Sequence, residues 1–240
     1  LTPEGKKLYE HVAIAYEQLQ IGEEEIRQNG ELENGLVSIG ASENALRLVL
    51  LSRLEKFHEQ YPHVRLRISN QSTPQAIQAL RSDIVDFAAV TTPLDIKSPL
   101  EKIPLASYRE ILIGGRKYKK LAEHTQKLED IASLPFISLD ENSSTRELYN
   151  SFFLEHGLSF APDMETATTD QMLPLITHNL GIGFYPKKMA ELALTKGDVY
   201  QIPLEEKLPL RRIYLVTNGS TAKSTAVRKM IKFIQEYHKI

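Results

Sequence analysis

The sequence predicts a two-lobed α/β protein, and three observations carry that prediction. Strand-like and helix-like segments alternate from Leu36 to the C-terminus. The strands are too many for one sheet in a chain of 240 residues, so two sheets fit better than one. Residues 1–30 show no strand pattern and read as one long helix standing ahead of both lobes. Composition agrees with a globular protein: 42% hydrophobic and 25% charged residues leave ample apolar material for a core. Lys+Arg at 29 against Asp+Glu at 31 gives a net charge of -2, which makes these residues a poor nucleic-acid binder by themselves. Cysteine is absent, which excludes disulfides, thiolate metal sites and cysteine nucleophiles. No uninterrupted apolar run approaches the roughly 20 residues that span a bilayer, so no membrane partner is expected. No charged-then-apolar leader opens the chain, and it begins at Leu1, as a piece of a longer protein or a processed product would.

In the first helix, Thr2-Pro3-Glu4 supplies a hydroxyl cap, a proline where no amide donor is needed, and an acid near the positive dipole end. Leu8, Val12, Ala15, Leu19 and Ile26 follow with heptad-like spacing, and Asn29-Gly30 can stop the helix. This pattern fits a helix lying on a domain or one pairing with its copy in a second chain. Residues 31–35 read as a linker. Leu36 to Gly40 alternates and ends in a turn, a first strand. Asn44 to Gln60 carries a helical apolar stripe ended by Tyr61-Pro62. Val64 to Ile68 alternates strictly, Thr73-Pro74 opens a second helix, and Ile84 to Val90 reads as a strand buried on both faces. Two crossover helices among three such strands imply a parallel, doubly wound sheet that binds ligands at strand carboxyl ends, near helix N-termini. The later half gives strands at 104–105, 110–114, 136–139, 164–167, 181–185 and 210–217. Its helices fall at 129–134, 145–156, 171–178, from Pro186 to Leu194, and 220–237.

Enzyme constellations are mostly missing. Seven histidines form no metal-ligand spacing. Gly181-x-Gly183 lacks a third glycine and reads as a tightly packed strand. Ser220-Thr-Ala-Lys223 matches a bare S-x-x-K string without its companion motifs, and Ser220 is placed to cap the last helix. Polar helix starts stand out instead: Ser42-Glu43-Asn44, Ser72-Thr73, Asn142 to Arg146, and Thr168-Thr169-Asp170. Each alone is an ordinary N-cap. Four aimed at one cleft would hold an anion on backbone amides and hydroxyls. Arg146 can add a charge-assisted bond or pair with Glu147 or Asp170.

The order of segments resembles a family. The Thr-Pro-Glu-Gly-Lys-Lys helix, Leu36-Val-Ser-Ile-Gly-Ala-Ser42, the helix ending in Phe57-His-Glu-Gln-Tyr-Pro62, Val64-Arg-Leu-Arg-Ile68, the Leu80 to Val90 stretch with Asp86-Phe87-Ala88, and Leu180-Gly-Ile-Gly-Phe184 together look like the LysR-type transcriptional regulators of bacteria. The likeness runs from their linker helix to the C-terminus, essentially the whole chain. It implies two Rossmann-like lobes, as in type-II periplasmic binding proteins, preceded by a linker and dimerisation helix at 1–30. Lobe I would be 36–114 with 210–240, and lobe II 115–209. A small effector, most simply a carboxylate, would lie between them. The matching effector contacts are Ser42, Asn44, Thr73, Ser144 and Thr169, to which the polar helix start at 142–146 adds Ser143 and Arg146 as candidates, while Ala45 departs from members with a polar residue there. The resemblance further implies a cytoplasmic homodimer or tetramer with no cofactor, touching DNA only through a winged helix-turn-helix that would precede Leu1. A solute-binding protein of a transporter and a prephenate-dehydratase-like lyase share the fold. The seam from Leu8 to Ile26 favours the regulator over both.

Overall fold

The computed structural model describes residues 2–28 and 35–237. The stop at Asn29-Gly30 and all but the end of the 31–35 linker lie outside them. Helix α1 spans Pro3–Gln28, with Thr2 Oγ1 accepting from Gly5 N at 3.1 Å as the N-cap.

Strand β1 (Leu36–Ala41) enters a helix that is α-helical over Glu43–Ala45 (α2), opens into a π turn over Leu46–Leu50, and resumes over Leu51–Gln60 (α3). Then come β2 (Arg65–Asn70), α4 (Thr73–Arg81) and β3 (Phe87–Thr91). The apolar run predicted a strand from Ile84, but β3 starts at Phe87. Asp83 turns with φ 53°, and Asp86 bonds β1 both ways, its N to the Ser38 carbonyl at 2.8 Å and its Oδ2 from Ser38 N at 2.7 Å. Strands β4 (Leu100–Tyr108) and β10 (Arg211–Asn218) complete a five-stranded sheet in the order β2-β1-β3-β10-β4. β1 runs parallel to β2 and β3, whereas β10 is antiparallel to β3 and β4. One face buries Val37, Ile39, Phe87 and Leu215 under α3 and the last helix, α9 (Thr225–Glu236). The other buries Ala88, Val90 and Val216 under α4. Helix α9 is capped by Ser224, whose side chain accepts from Val227 N at 3.3 Å, not by Ser220.

Strand β5 (Glu110–Gly115) is antiparallel to β8 (Ile182–Pro186) and β9 (Val199–Ile202), so it belongs to the second sheet. That corrects the lobe I limit of 114: the chain changes sheet between Tyr108 and Glu110, at the one residue separating β4 from β5. A 3-10 helix over Arg116–Glu123 and β9 were not foreseen from sequence. Helices α5 (Leu128–Ile131) and α6 (Ser144–Glu155) pack with Phe136, Phe153 and Phe184 on one side. Between α5 and α6 lies β6 (Ile137–Leu139), which pairs in parallel with β7 (Met164–Thr166). Helices α7 (Thr169–Thr177) and α8 (Lys187–Lys196) cover the other side. Gly183 has a packing reason: a Cβ there would stand 2.8 Å from the Ile137 carbonyl oxygen.

Candidate functional site

The predicted site residues are all buried: Ser42, Asn44, Thr73, Ser143, Ser144, Arg146 and Thr169. Their side chains do different things. Ser42 and Ser143 cap their helices, accepting from Ala45 N at 3.4 Å and from Arg146 N at 3.1 Å. Thr73 does not cap. Its hydroxyl donates to the Thr91 carbonyl at 3.2 Å, at the end of β3. Asn44 Nδ2 reaches the Tyr108 hydroxyl at 3.2 Å, at the end of β4. Thr169 stands in the first turn of α7, which packs against α2. Arg146 pairs with neither Glu147 nor Asp170. Its Nη1 donates to Glu165 at 2.8 Å and to the Leu139 carbonyl at 3.3 Å, its Nε to Asn150 at 3.1 Å, and its guanidinium lies over Phe160. It fastens α6 to β6 and β7.

Thr91 and Tyr108 lead to a buried ion pair that the sequence reading did not single out. Arg211, 0% exposed, opens β10. Its Nη1 donates to both oxygens of Glu110 at 3.0 and 3.1 Å, and its Nη2 to Thr91 Oγ1 and Thr145 Oγ1 at 3.0 Å each. The guanidinium lies over the Tyr108 ring, and the Tyr149 hydroxyl donates to Glu110 Oε2 at 3.1 Å. Thus β3, β4 and β10 of the first sheet meet β5 and α6 of the second around one guanidinium. Asn44 arrives through Tyr108, Thr73 through Thr91, and the start of α6 directly through Thr145. A charge in such a place is costly unless paired and hydrogen-bonded, and this one is both. Burial alone would lower the Arg211 pKa, but the Glu110 carboxylate more than reverses that and holds it above its ordinary value. Burial pushes the Tyr108 hydroxyl up to about 12 and the Tyr149 hydroxyl well above its ordinary value, with Glu110 adding to both. Two polar atoms of the network, Asn44 Oδ1 and Arg211 Nε, have no partner among the described residues.

At the rim, Glu43 in the first turn of α2 accepts from Asn70 at 2.8 Å and sits 3.6 Å from Arg47. Burial and the Asp170 carboxylate, in the first turn of α7, raise its pKa. A separate concavity of about 270 Å³, lined by Pro93, Leu148, Phe152 and Pro209, shares no residue with the network. No group of His, Asp or Glu that could hold a metal is present among the described residues. The pair left one trace in the sequence: Glu110 and Arg211 open strands whose middles, Ile111 to Ile113 and Ile213 to Val216, are apolar, and a charge at a strand end is ordinarily exposed.

Known proteins agree with this architecture. Residues 30–239 match the LysR substrate binding domain. The chain is 22% identical over 229 residues to the uncharacterized HTH-type transcriptional regulator YeiE of Escherichia coli, covering 95% of this chain and 76% of that protein. It is 25% identical over 237 residues to the HTH-type regulator MJ0300 of Methanocaldococcus jannaschii, covering 98% and 79%. Among solved structures, the effector binding domain of QuiR in complex with shikimate superposes with a TM-score of 0.74 at 19% identity, over 85% of this chain and 97% of that one. The Synechocystis PCC6803 CcmR regulatory domain in complex with 2-PG gives 0.74 at 15%, over 84% and 96%. HinK, a LysR family regulator from Pseudomonas aeruginosa, gives 0.68 at 22%, over 98% and 80%. With nearly its whole length matched, and with two α/β lobes meeting at one buried network, the chain belongs to the LysR family of transcriptional regulators and carries its effector-sensing domain.

Proposed function

We propose that this domain senses a small organic anion, most simply a carboxylate, held between the lobes at the starts of α2, α4, α6 and α7. The observation that carries this reading is the network itself. Side chains at or beside three of those starts, Asn44, Thr73 and Thr145, connect to one guanidinium that joins both sheets. A ligand touching them therefore touches what holds the lobes together. Backbone amides at helix N-termini favour negative charge, each worth roughly 0.3–1 kcal/mol when exposed and up to about 2 when partly buried, so several must converge. The QuiR domain, similar in fold, is in complex with shikimate, a carboxylate.

Binding shifts the balance between lobe arrangements and, through it, the geometry of the oligomer and its DNA contacts. The working assembly is a cytoplasmic homodimer, or a tetramer built from it, paired through α1. The lobes divide at Tyr108/Glu110 and near Leu210. No catalysis is assigned: the family is one of transcriptional regulators, and the buried Glu110 carboxylate is held by the Arg211 guanidinium and the Tyr149 hydroxyl. Ser42→Ala and Ser144→Ala test the site by calorimetry with the acids named below. If these residues bind, affinity falls by more than the lost stability explains. If they only cap or pack, stability falls by about 0.5–2 kcal/mol and affinity holds.

A further inference from the structure

We propose that Glu110 is an internal counter-carboxylate: by neutralising Arg211 within the site, it restricts the effector to a hydroxylated molecule carrying no more than one negative charge. This deepens the reading above and rests on it. A buried arginine at the meeting point of two lobes is the group a ligand's acid would be expected to find. Here its Nη1 is held by both Glu110 oxygens and its Nη2 by two threonines, and Tyr149 completes the hydrogen bonding of the carboxylate. Arg47 and Arg146 are likewise each held by a carboxylate of the protein, Glu43 and Glu165. The first turns of α2 and α7 carry acids, Glu43 and Asp170, close enough for Asp170 to raise the Glu43 pKa. A ligand entering this space thus meets cations already neutralised and a rim of like charge. One negative charge can be carried by converging amides. A second would stand unpaired beside the buried Glu110 carboxylate, where the low dielectric makes repulsion strong, and would face Glu43 and Asp170 at the rim.

The unpartnered atoms say what else the ligand offers. Asn44 is 4% exposed, and with Nδ2 donating to Tyr108 its Oδ1 is an acceptor without a partner among the described residues. Buried acceptors without partners are rare and costly. A hydroxyl on the ligand satisfies it, while Arg211 Nε remains a donor for a ligand oxygen. Ser42, Thr73 and Ser144 add neutral hydroxyls, so the interior matches a polyol acid better than a bare dicarboxylate.

The test is titration calorimetry on the whole chain with named acids: lactate, glycerate and shikimate as hydroxylated monoanions, propionate and 1-cyclohexenecarboxylate as their deoxy counterparts, and malate, tartrate and citrate as polyanions. The wild-type chain is expected to bind at least one hydroxylated monoanion ten times or more tightly than its deoxy counterpart and than every polyanion. Glu110→Gln should bring polyanion affinity to within about threefold of the monoanion's, and Glu110→Asp, which keeps the charge, should retain the preference. Should Glu110→Gln not fold, the rim variant Glu43→Gln/Asp170→Asn serves instead, with polyanion affinity rising several-fold relative to the monoanion. Equal or tighter binding of polyanions by the wild type overturns the charge limit while leaving the anion-sensor reading intact. So does a preference unchanged in Glu110→Gln, or in the rim variant where that one is used. Equal binding of deoxy acids overturns the hydroxyl requirement. Binding of none of these acids overturns both this inference and the reading beneath it.

Discussion

At the scale of single residues, the Glu110–Arg211 pair decides the most. Both side chains are almost completely buried, at 2% and 0% exposed, so removing one partner leaves an uncompensated charge in the interior. Arg211→Met is expected to cost about 3–5 kcal/mol of stability, while the apolar double replacement Glu110→Leu/Arg211→Met recovers much of that loss. Urea titrations of the two variants against the wild type check this, and a double variant as weak as the single one refutes the account. Tyr108 adds a pH signature. Its folded pKa is about 12 against about 10 for an unfolded tyrosine, so the folded state keeps the proton more tightly. Stability is therefore full below pH 10 and falls as pH rises from about 10 to about 12, by roughly 3 kcal/mol. Tyr108→Phe should flatten that decline in alkaline unfolding curves. The Asn44 bond is lost in the same variant, so its stability at neutral pH is the reference for the comparison.

Among the elements, β8 and α1 make opposite demands. Gly183 lets β8 press against β6, since a Cβ there would meet the Ile137 carbonyl at 2.8 Å and Met172 and Ile176 at 3.2 Å. Gly183→Ala must move backbone, not a flexible side-chain tip, and is expected to lower stability by about 1–3 kcal/mol in thermal melts. Helix α1 instead leaves apolar side chains uncovered: Leu8, Val12, Tyr16 and Leu19 are all more than half exposed. Leu8, Val12 and Leu19 keep the heptad spacing of the seam, which is the pattern of a helix that pairs with a second copy. Sedimentation at micromolar concentration should show a dimer, and Val12→Glu/Leu19→Glu should weaken it at least tenfold. A chain that stays monomeric with α1 intact contradicts the paired-helix reading.

For the molecule as a whole, the arrangement is two lobes that exchange chain at two places and meet over one polar core. The first crossing is the step from Tyr108 to Glu110, and the second returns the chain to Arg211, so each crossing ends on a member of the ion pair. On the proposed reading, a ligand at the helix starts biases the lobes through this pair. Saturating ligand should raise stability by about 3 kcal/mol at a hundredfold excess over Kd, and small-angle scattering should show a change in radius of gyration on the same titration. Ligand that stabilises without altering the scattering profile would detach sensing from lobe movement.

The sequence by itself determined the local elements and the family. Period-two and helical apolar patterns, Thr-Pro and Ser caps, and the turn at Gly157 with φ 74° are short-range features, written in neighbouring residues. The helix starts were legible for the same reason, because a cap is read from three or four consecutive positions. Their partners were not. Asn44 and Tyr108 are 64 residues apart, Thr145 and Arg211 66, and Glu110 and Arg211 101. Nothing local distinguishes a Glu or Arg at an exposed strand end from one folded into the interior. Likewise, Arg146 looked available until β7 brought Glu165 beside it, and β5 changed sheets because its pairing partners lie far along the chain. Only the tertiary structure could choose these partners, because a charge is buried where distant strands together supply its counter-charge, and no short stretch of sequence contains both.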